Sequence, residues 1–503
     1  MEMRGMKEQI AAVKKKLWIP FASILYLLIF SAYTSPLFPK FMDWDSAIFM
    51  MVGKGINEGK QLYTEVFDHK GPVLFWIEAL GMRFGRNGVF VVQCIFMTVT
   101  VWLMDKIAGY FCSGKKKYTA VAAAMIWLAY PLANGNLSEE YSLPFILAVV
   151  NWFLKDWKTS QSPRTGHSYL YGVCFGILFF IRVNNAVTIC AVILGWAYIL
   201  MKKKQAKELW KHVLAGLAGI VTAAAPICIY FGLRGALWDM FYATFLFNLR
   251  YSGNVSLLKE LTDPVIWVRM GILFSPVIAG AVVFFREIRE RELRVVMELI
   301  AGLNFAALFL GHGYNHYFTV LLPIVLVLFA LVPLERQKKQ EKKEREQERK
   351  KGDRERKWRI VEQALTGIVF AGYCVLALRI VVKNVNDYFL DPAVQREYDT
   401  VQQSFSRIPE QERESVLGYE IPAKYYLMGG VLPCYKYGIL QYHWMQNDEQ
   451  VMADFLNFVE EESPLWLISE KNTHNTELKS ILTDQYELMW EDGYAEYYRL
   501  SAW

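Results

Sequence analysis

The sequence predicts an α-helical polytopic membrane protein with about eleven transmembrane helices and a small extracytoplasmic α/β domain at its C-terminus. Three observations support this fold class. Of the 503 residues, 54% are apolar and only 21% are charged. Eleven apolar runs approach the length of about 20 residues that a helix needs to cross a bilayer. The basic residues between these runs gather on alternate connections, as the positive-inside rule predicts.

The first apolar run, residues 17–38, follows three lysines and has no small-residue cleavage site after it. We therefore predict an uncleaved signal anchor with residues 1–16 in the cytoplasm. The pair of runs that flanks Arg182 could instead form one long tilted helix over residues 169–201. Ten further runs complete a transmembrane domain that ends at residue 382: 88–107, 118–132, 142–157, 169–181, 186–201, 213–233, 264–285, 295–310, 317–334 and 360–382.

The distribution of Lys and Arg gives this domain a direction. Basic clusters lie on the connections predicted to be cytoplasmic, namely residues 115–117, 155–164, 202–211, 286–294 and 335–357. The opposite connections are mixed or nearly uncharged: residues 43–68, 136–140, 182–185, 238–263 and 311–316. We predict a multi-pass protein of the cell membrane, with its N-terminus in the cytoplasm and its C-terminal domain on the outer face.

The formal net charge of +6 divides unequally along the chain. Residues 383–503 contain nine Lys and Arg against twenty-one Asp and Glu, a net of −12, so residues 1–382 carry +18. In a soluble protein a basic excess would favour nucleic acid, because it neutralises phosphates. Here the excess lies largely in cytoplasmic loops of a membrane protein, and the sequence predicts no nucleic-acid partner.

The C-terminal domain, residues 383–503, is predicted to mix helices and strands. Runs that favour strands occur at residues 425–435, 464–470 and 494–500. An amphipathic stretch around residues 447–461 stands between the first two runs. No internal repeat is visible in the chain, so an inverted-repeat transporter is not supported.

The first outer loop, residues 39–87, is the richest in charged groups, which are costly near a bilayer and often mark a functional site. Apolar residues at helical spacing follow Asp45 and end before Gly59, which predicts an amphipathic helix on the membrane surface. Asp45 could also be a simple N-cap of that helix. The candidate site residues of this loop are Asp43, Asp45, Asp68, His69 and Lys70.

Other outer loops add four candidates. Glu139 and Glu140 lie where a helix begins, so a favourable interaction with the helix dipole could also explain them. Arg182 is harder to explain in structural terms, because apolar spans flank it on both sides. His316 belongs to the aromatic stretch GYNHYF, and it could equally be a polar residue at the membrane interface.

The motifs of the outer loops follow a definite order. An acidic residue and a helix come after the first span, followed by an element from Gly59 to Tyr63 and the turn FDHKGP. NLSEEYSLPF and GYNHYF occupy later outer loops. This order resembles the GT-C glycosyltransferases of the family 39 type. That superfamily includes protein O-mannosyltransferases and the aminoarabinose transferases that modify lipid A.

The resemblance implies a transferase that takes a sugar from a polyprenyl-phosphate-linked donor and passes it to a glycan, lipid or protein acceptor. The catalytic Asp of the family matches Asp45, with Asp43 as the weaker match. The acid of the second outer loop matches Glu139 or Glu140.

The resemblance also implies a phosphate-binding lysine before a proline. That lysine matches Lys70, although Gly71 stands between it and Pro72 in this chain. The extra residue leaves His69 as a possible substitute at the donor phosphate.

Elementary chemistry agrees with these roles, because sugar transfer needs a base for the acceptor proton and cations for the departing phosphate. We predict Asp45 as the base, Lys70 and Arg182 at the phosphate, and inversion at the anomeric carbon. Some relatives use a divalent metal and others do not. Asp43, Asp45 and Glu139 could hold Mg²⁺ or Mn²⁺ through oxygen, and no other cofactor is predicted.

Two other classes of function fit parts of the sequence. In a polytopic transporter or lipid-sugar flippase, Asp45, Glu140 and Arg182 would form a substrate or proton path. Against this, the charges crowd into outer loops and lack a chain through the membrane midplane. A non-catalytic scaffold whose outer domain binds partners is the second alternative.

Overall fold

The computed structural model describes residues 17–41, 45–132, 134–254, 264–308, 314–332, 353–439 and 448–501. The chain is mostly helical and divides into two compact units, each built from three separate stretches of sequence. Unit 1 comprises Met1–Ser31, Gln93–Pro226 and Val255–Val381. Unit 2 comprises Ala32–Val92, Ile227–Asn254 and Val382–Trp503.

Each apolar run expected from the sequence contains a helix, but the first helix ends at Phe30, well before the end of the first run at residue 38. Up to residue 385 they are α1 (Leu17–Phe30), α2 (Asp45–Asn57), α3 (Pro72–Met82), α4 (Gly85–Ala108), α5 (Lys115–Leu132), α6 (Ser138–Ser160), α7 (Thr165–Phe179), α8 (Val187–Lys202), α9 (Ala206–Leu233), α10 (Leu237–Phe241), α11 (Phe247–Asn254), α12 (Pro264–Glu287), α13 (Arg291–Leu308), α14 (Leu322–Leu331) and α15 (Asp353–Val385).

Length and composition suit some of these helices to a bilayer better than others. Within the described ranges, five helical segments are long and apolar enough to cross a membrane. The number of crossings, eleven by the sequence, therefore stays a prediction. The five segments are Gly85–Ala108, Val183–Lys202, Ala206–Leu233, Trp267–Glu287 and Lys357–Leu390.

The chain breaks at Arg182 instead of forming one long tilted helix. α7 ends at Phe179, and a 3₁₀ turn, Val183–Ala186, leads into α8. Arg182 itself has extended backbone, with φ −164° and ψ 119°. The polar group thus lies at a helix junction, where its side chain can reach neighbouring helices.

Small residues bring the helices of unit 1 close together, as is common where a membrane protein packs helix on helix. A Cβ atom on Gly172 of α7 would lie 1.9 Å from the carbonyl oxygen of Gly216 on α9. A Cβ on Gly219 would lie 2.0 Å from the carbonyl oxygen of Tyr169. Only glycine permits this approach of the two backbones.

The first outer loop forms a helical hairpin in unit 2. A Cβ on Gly53 of α2 would lie 2.9 Å from the backbone nitrogen of Ala79 on α3, so glycine permits their close contact. The apolar residues Ile48, Met51 and Val52 are buried in the protein, with at most 2% of their surface exposed. The interpretation of α2 as a helix on the membrane surface is therefore wrong, because protein side chains cover its apolar positions.

A four-stranded sheet forms the C-terminal part of unit 2, in the order β1-β2-β4-β3. β1 and β2 are parallel, and the other two pairs are antiparallel. Its elements are α16 (Pro392–Ser406), β1 (Val416–Tyr419), α17 (Ala423–Gly429), α18 (Glu449–Glu461), β2 (Trp466–Glu470), α19 (Thr476–Gln485), β3 (Tyr486–Glu491) and β4 (Ala495–Leu500).

The expected strands are only partly present. The runs 464–470 and 494–500 contain β2 and β4, but the run 425–435 begins inside α17. The hydroxyl of Tyr426 on that helix donates to the carbonyl of Gly438 at 2.9 Å and accepts from the N–H of Gly418 at 2.6 Å. Periodicity cannot separate a short buried helix from a buried strand, so these tertiary contacts decide between them.

Hydrogen bonds join the first outer loop to the sheet region within unit 2. The ammonium groups of Lys54 and Lys60 donate to the carbonyls of Gly430 and Pro433, each at 2.8 Å. The N–H of Phe67 donates to a backbone carbonyl at residue 436, at 3.2 Å. The loop with most of the predicted site residues is thus anchored to the C-terminal part of the chain.

Candidate active site

One lysine in unit 2 lies between two carboxylates. The Nζ atom of Lys70 is 3.7 Å from Oδ2 of Asp45 and 3.8 Å from Oδ1 of Asp68. We call these three residues the Lys70 group. Their side chains differ in exposure: 27% for Asp45, 5% for Lys70 and 0% for Asp68. Asp45, at the start of α2, is therefore the acid of the group that a substrate can reach.

The turn that carries Lys70 is held by several contacts. Its backbone N–H donates to Oδ1 of Asp68 at 2.9 Å, and its carbonyl accepts from the hydroxyl of Tyr63 at 2.8 Å. Its ammonium lies 4.9 Å from the centre of the Phe49 ring, a cation–π distance. Burial and the nearby Asp68 carboxylate raise the pKa of Tyr63 well above its usual value, so its hydroxyl stays a donor.

The extra glycine of the FDHKGP turn has a clear structural place. Gly71 is the N-cap of α3, and Pro72 takes the first helical position, where a missing N–H costs nothing. Lys70 therefore still stands directly before the N-terminus of the helix.

His69 takes a different direction from Lys70. It is 8% exposed, and its ring stacks on Phe247 with 5.8 Å between centroids and an interplanar angle of 22°. Its carbonyl accepts from Nδ2 of Asn248 at 2.7 Å. These contacts tie the FDHKGP turn to α11, whereas it is Lys70 that lies beside the two carboxylates.

In unit 1, Arg182 forms an ion pair with Glu139 through Nη1 and Oε1. The guanidinium also lies over the ring of Tyr317, with Cζ 4.1 Å from its centroid. The second carboxylate oxygen of Glu139 accepts from Oγ of Ser138 at 3.0 Å. The His316 ring packs edge-on against Tyr317 at 4.7 Å. Glu139, Arg182, His316 and Tyr317 thus form one set, which we call the Arg182 cluster.

Glu140 has different surroundings from Glu139. Its Oε2 atom accepts from Nε2 of Gln93 and from the N–H of Asn136, both at 2.8 Å. The same amide nitrogen of Gln93 is 3.1 Å from Oγ of Ser31. Burial raises the pKa of Glu140, which precedes the predicted crossing, to about 7, although the hydrogen bonds oppose this shift. Glu140 therefore ties the start of α6 to α4.

Asp43, the weaker match for the base, lies outside the described residues. In the ranges that are described, no three His, Cys, Asp or Glu side chains are grouped so that they could hold a metal ion. Asp45 and Glu139, the other members of the predicted cation site, each stand beside a basic side chain. Binding of Mg²⁺ or Mn²⁺ therefore stays a prediction.

A family model matches most of the chain. It covers residues 6–392 and is described as the N-terminal domain of the putative competence-induced protein Ccs4. The chain belongs to this family. The match spans both the Lys70 group and the Arg182 cluster. No curated protein sequence matches the chain.

The fold of this Ccs4-family chain is that of the GT-C glycosyltransferases. It is similar to ArnT from Cupriavidus metallidurans in the apo state, with a TM-score of 0.62 and 10% identity over 97% of this chain and 98% of that chain. For ArnT bound to undecaprenyl phosphate the TM-score is 0.57, at 12% identity and the same coverage. The apo oligosaccharyltransferase of Archaeoglobus fulgidus gives 0.51, at 12% identity over 97% of this chain and 75% of that chain. The resemblance found in the sequence is confirmed as a GT-C fold.

Several partners of the site residues in the Ccs4-family chain have no signal in the sequence. Phe49 and Phe247 contact Lys70 and His69 through their rings, and apolar runs alone do not mark such contacts. Tyr317 could have been predicted as a site residue, because it belongs to GYNHYF, an aromatic stretch in a loop predicted to be outer. Its position over a guanidinium depends on how the helices pack.

Proposed function

We propose that this chain is a membrane glycosyltransferase that moves a sugar from a polyprenyl-phosphate-linked donor to an acceptor hydroxyl. The proposal rests above all on the Lys70 group, in which a partly open carboxylate lies within 4 Å of a buried ammonium. A base beside a cation is what this transfer requires, and the GT-C fold is common to enzymes of this chemistry.

Asp45 is the general base in this proposal. It takes the proton of the acceptor hydroxyl while the acceptor oxygen forms a bond to the anomeric carbon. The bond from that carbon to the phosphate oxygen breaks, and its electron pair leaves with the polyprenyl phosphate. Attack opposite to the leaving group inverts the anomeric configuration.

Lys70 stabilises the negative charge that develops on the leaving phosphate. Asp68, fully buried, accepts the N–H of Lys70 and so positions the turn. Because Asp68 balances the ammonium from the protein side, Lys70 remains a compact cation that can turn from Asp45 toward a phosphate oxygen. Its side chain is 5% exposed, and a low dielectric strengthens this attraction.

The Arg182 cluster supplies two further assignments. We assign the acid of the second outer loop to Glu139, since it contacts a cation, whereas Glu140 is engaged by Gln93 and a backbone N–H. Arg182, held by Glu139 and Tyr317, is a candidate for a contact with lipid phosphate, because a guanidinium forms two parallel hydrogen bonds to phosphate oxygens.

The donor class has support from a structural neighbour. ArnT, to which this fold is similar, has been solved with undecaprenyl phosphate bound. A polyprenyl tail needs an apolar surrounding, and the long apolar helices of this chain would supply it. We place the reaction on the outer face of the cell membrane, in keeping with the charge of the loops.

Substitution of Asp45 by Asn tests the proposal directly. The full chain, reconstituted in nanodiscs, is supplied with radiolabelled polyprenyl-phosphate sugar and with envelope glycans, lipids and proteins as acceptors. We expect loss of transfer by about 10²–10⁴-fold, the usual contribution of a positioned base. Glu58→Gln is the matched control, since Glu58 is an exposed acid, 51% exposed, just beyond the same helix.

Transfer at parental rate by Asp45→Asn, with the control also active, would remove Asp45 as the base. Movement of the lipid-linked sugar between leaflets without any transfer would favour the flippase instead. An impermeant thiol reagent, applied to a Glu58→Cys variant, tests the orientation: added labelling only from the outer side is expected.

A further inference from the structure

A cavity of about 360 Å³ lies within unit 2, and the Lys70 group is not part of its lining. Its walls come from three stretches of the chain: the first outer loop, the segment from α10 to α11, and a C-terminal stretch that includes the first half of α18. Phe67, Trp238, Tyr242 and Tyr437 give it aromatic walls. Its volume is at the lower end of the range for small-molecule sites, about 300–1,000 Å³.

Some aromatic residues of the lining pack against other side chains, whereas one is largely exposed. The ring of Phe67 meets that of Tyr437 edge to face, with 5.1 Å between centroids. Phe67 also packs on Phe247 at 5.4 Å. Trp238, in contrast, has 65% of its surface exposed, although tryptophan is highly buried on average in folded proteins. Its indole therefore leaves surface at the cavity that a ligand can cover.

Two carboxylates of the lining are available as hydrogen-bond acceptors. Asp239 and Asp454 line the cavity, together with Gln450. Within the described part of unit 2, no ion pair or side-chain hydrogen bond engages either carboxylate. A ligand that donates several hydrogen bonds would therefore be matched by this wall.

The two cations of the lining are already engaged by the protein. Nη1 of Arg250 is 3.6 Å from Oδ2 of Asp448, and its guanidinium lies 5.7 Å from the centre of the Tyr242 ring. The ammonium of Lys436 lies 4.7 Å from the centre of the Tyr437 ring. The charges of the lining cancel, two basic against two acidic side chains, so the cavity does not favour a phosphate.

We propose that this cavity binds a neutral saccharide and that the acceptor of the reaction is therefore a glycan. The C–H groups on one face of a sugar ring carry partial positive charge, which matches the negative face of an aromatic ring. The hydroxyl groups at its edge donate to carboxylates. Aromatic walls with two available acids suit this chemistry better than an acyl chain or a phosphate.

The cavity is also close in sequence and contact to Asp68 and Lys70, the partners of the proposed base. Tyr63 and Phe67 line it, and the chain continues directly from Phe67 into Asp68. The hydroxyl of Tyr63 donates to the carbonyl of Lys70. A sugar bound against these two aromatic residues would therefore contact the loop that carries the Lys70 group. This inference rests on the proposed transferase function.

Binding to the full chain carrying Asp45→Asn, in nanodiscs, tests the inference without requiring turnover. The probes are fluorescent neutral oligosaccharides of glucose, galactose, rhamnose and N-acetylglucosamine, with polyglycerol phosphate and a Ser/Thr-rich peptide of similar length. We expect saturable binding of at least one oligosaccharide by fluorescence polarisation.

Two variants test whether this binding takes place in the cavity. Adding Trp238→Ala or Asp454→Asn should weaken the binding of the oligosaccharide by about tenfold or more, as for a central contact of a site. Leu249→Ala, at a position 68% exposed and outside the lining, should leave it within about twofold.

Three results would overturn the inference: no saturable binding of any oligosaccharide, binding of the polyglycerol phosphate or peptide alone, or equal binding by the Trp238→Ala variant. These results are separate from the outcome of the transfer assay. Saccharide binding without transfer by the parent would refute the transferase and keep the binding site. Transfer without saccharide binding would keep the transferase and refute the glycan acceptor.

Discussion

The Lys70 group and the Arg182 cluster both contain buried charges, but they balance them differently. In the cluster, Arg182 directly contacts Glu139 and lies over Tyr317. In the group, Lys70 is 3.7 Å and 3.8 Å from two carboxylates, beyond the distance of about 2.7–2.9 Å for a charge-assisted hydrogen bond. The three side chains of the group sum to a formal charge of −1.

This difference separates a fixed ion pair, which can contact a phosphate only while it stays paired, from a lysine that can change its partner. Two buried charges in direct contact are costly to separate, because each would then be unpaired in a medium of low dielectric constant. Lys70 stands beside two acids, one of which is partly open, so an anion that approaches from the side of Asp45 can meet its charge. We therefore expect chemistry to depend on the Lys70 group and stability to depend more on the Arg182 cluster.

Breaking the Arg182 pair should give the largest effect. Arg182→Met leaves Glu139, 1% exposed, as a buried charge without this cation, which typically costs about 3–5 kcal/mol of stability. The double variant Glu139→Gln with Arg182→Met should recover most of that loss. Chemical denaturation of the protein in detergent measures both. Lys202→Met is the control: it breaks an exposed ion pair with Glu292 and should cost less than about 1 kcal/mol of stability. A stability loss as large as that of Arg182→Met would contradict the prediction.

Removal of the positive charge of Lys70 should lower the turnover rate. Lys70→Met is expected to lower kcat by about 10²–10³-fold, as loss of one preorganised group opposite a developing charge does. Since Asp68 would then be a buried charge, the double variant Asp68→Asn with Lys70→Met separates folding from chemistry. It should unfold near the parental denaturant concentration and still be inactive. Substantial transfer by the folded double variant would show that Lys70 is structural.

The two acids of the Lys70 group should not be equivalent. Asp68→Asn keeps an oxygen that can accept the N–H of Lys70, so the turn should stay in place. We expect kcat to fall only by about tenfold, which corresponds to about 1.4 kcal/mol of activation free energy. The loss for Asp45→Asn should exceed it by at least about tenfold. Steady-state kinetics of the two variants, measured side by side, decides this. The reverse order would move the base from Asp45 to Asp68.

Glu140→Gln should have the smallest effect. The amide keeps an acceptor for the N–H of Asn136, and we expect transfer within about twofold of the parent, whereas Glu139→Gln should lose about tenfold. The pKa of Glu140 is raised to about 7, so the parent carboxyl is mostly neutral below that pH and mostly charged above it. The difference between variant and parent should therefore shrink as pH falls from 8 to 6. A larger loss for Glu140→Gln than for Glu139→Gln would exchange the two assignments.

Much of this architecture could be predicted from the sequence. Each of the eleven apolar runs contains a helix, and the helix that begins at Asp45 ends before Gly59 as expected. The GT-C fold could also be predicted, from the ordered motifs of the loops predicted to be outer. These features depend on local composition and on spacing along the chain, which the bilayer and the helix period make easy to recognise.

Other features depend on contacts between residues far apart in the chain. The sequence alone leaves Glu139 and Glu140 equivalent, and only packing gives one an arginine and the other an amide. The burial of α2 follows from its contact with α3, and a hydropathy pattern cannot say whether lipid or protein covers an apolar face.

The amino-acid sequence by itself determined the apolar helices and which connections between them carry the charged residues. The tertiary structure decided which of those charges meet. Lys70 stands between Asp45 and Asp68 because α2 and α3 form one hairpin, and the aromatic cavity exists because three distant stretches converge in unit 2. Local pattern is encoded residue by residue, whereas such convergence depends on the close packing of the whole unit.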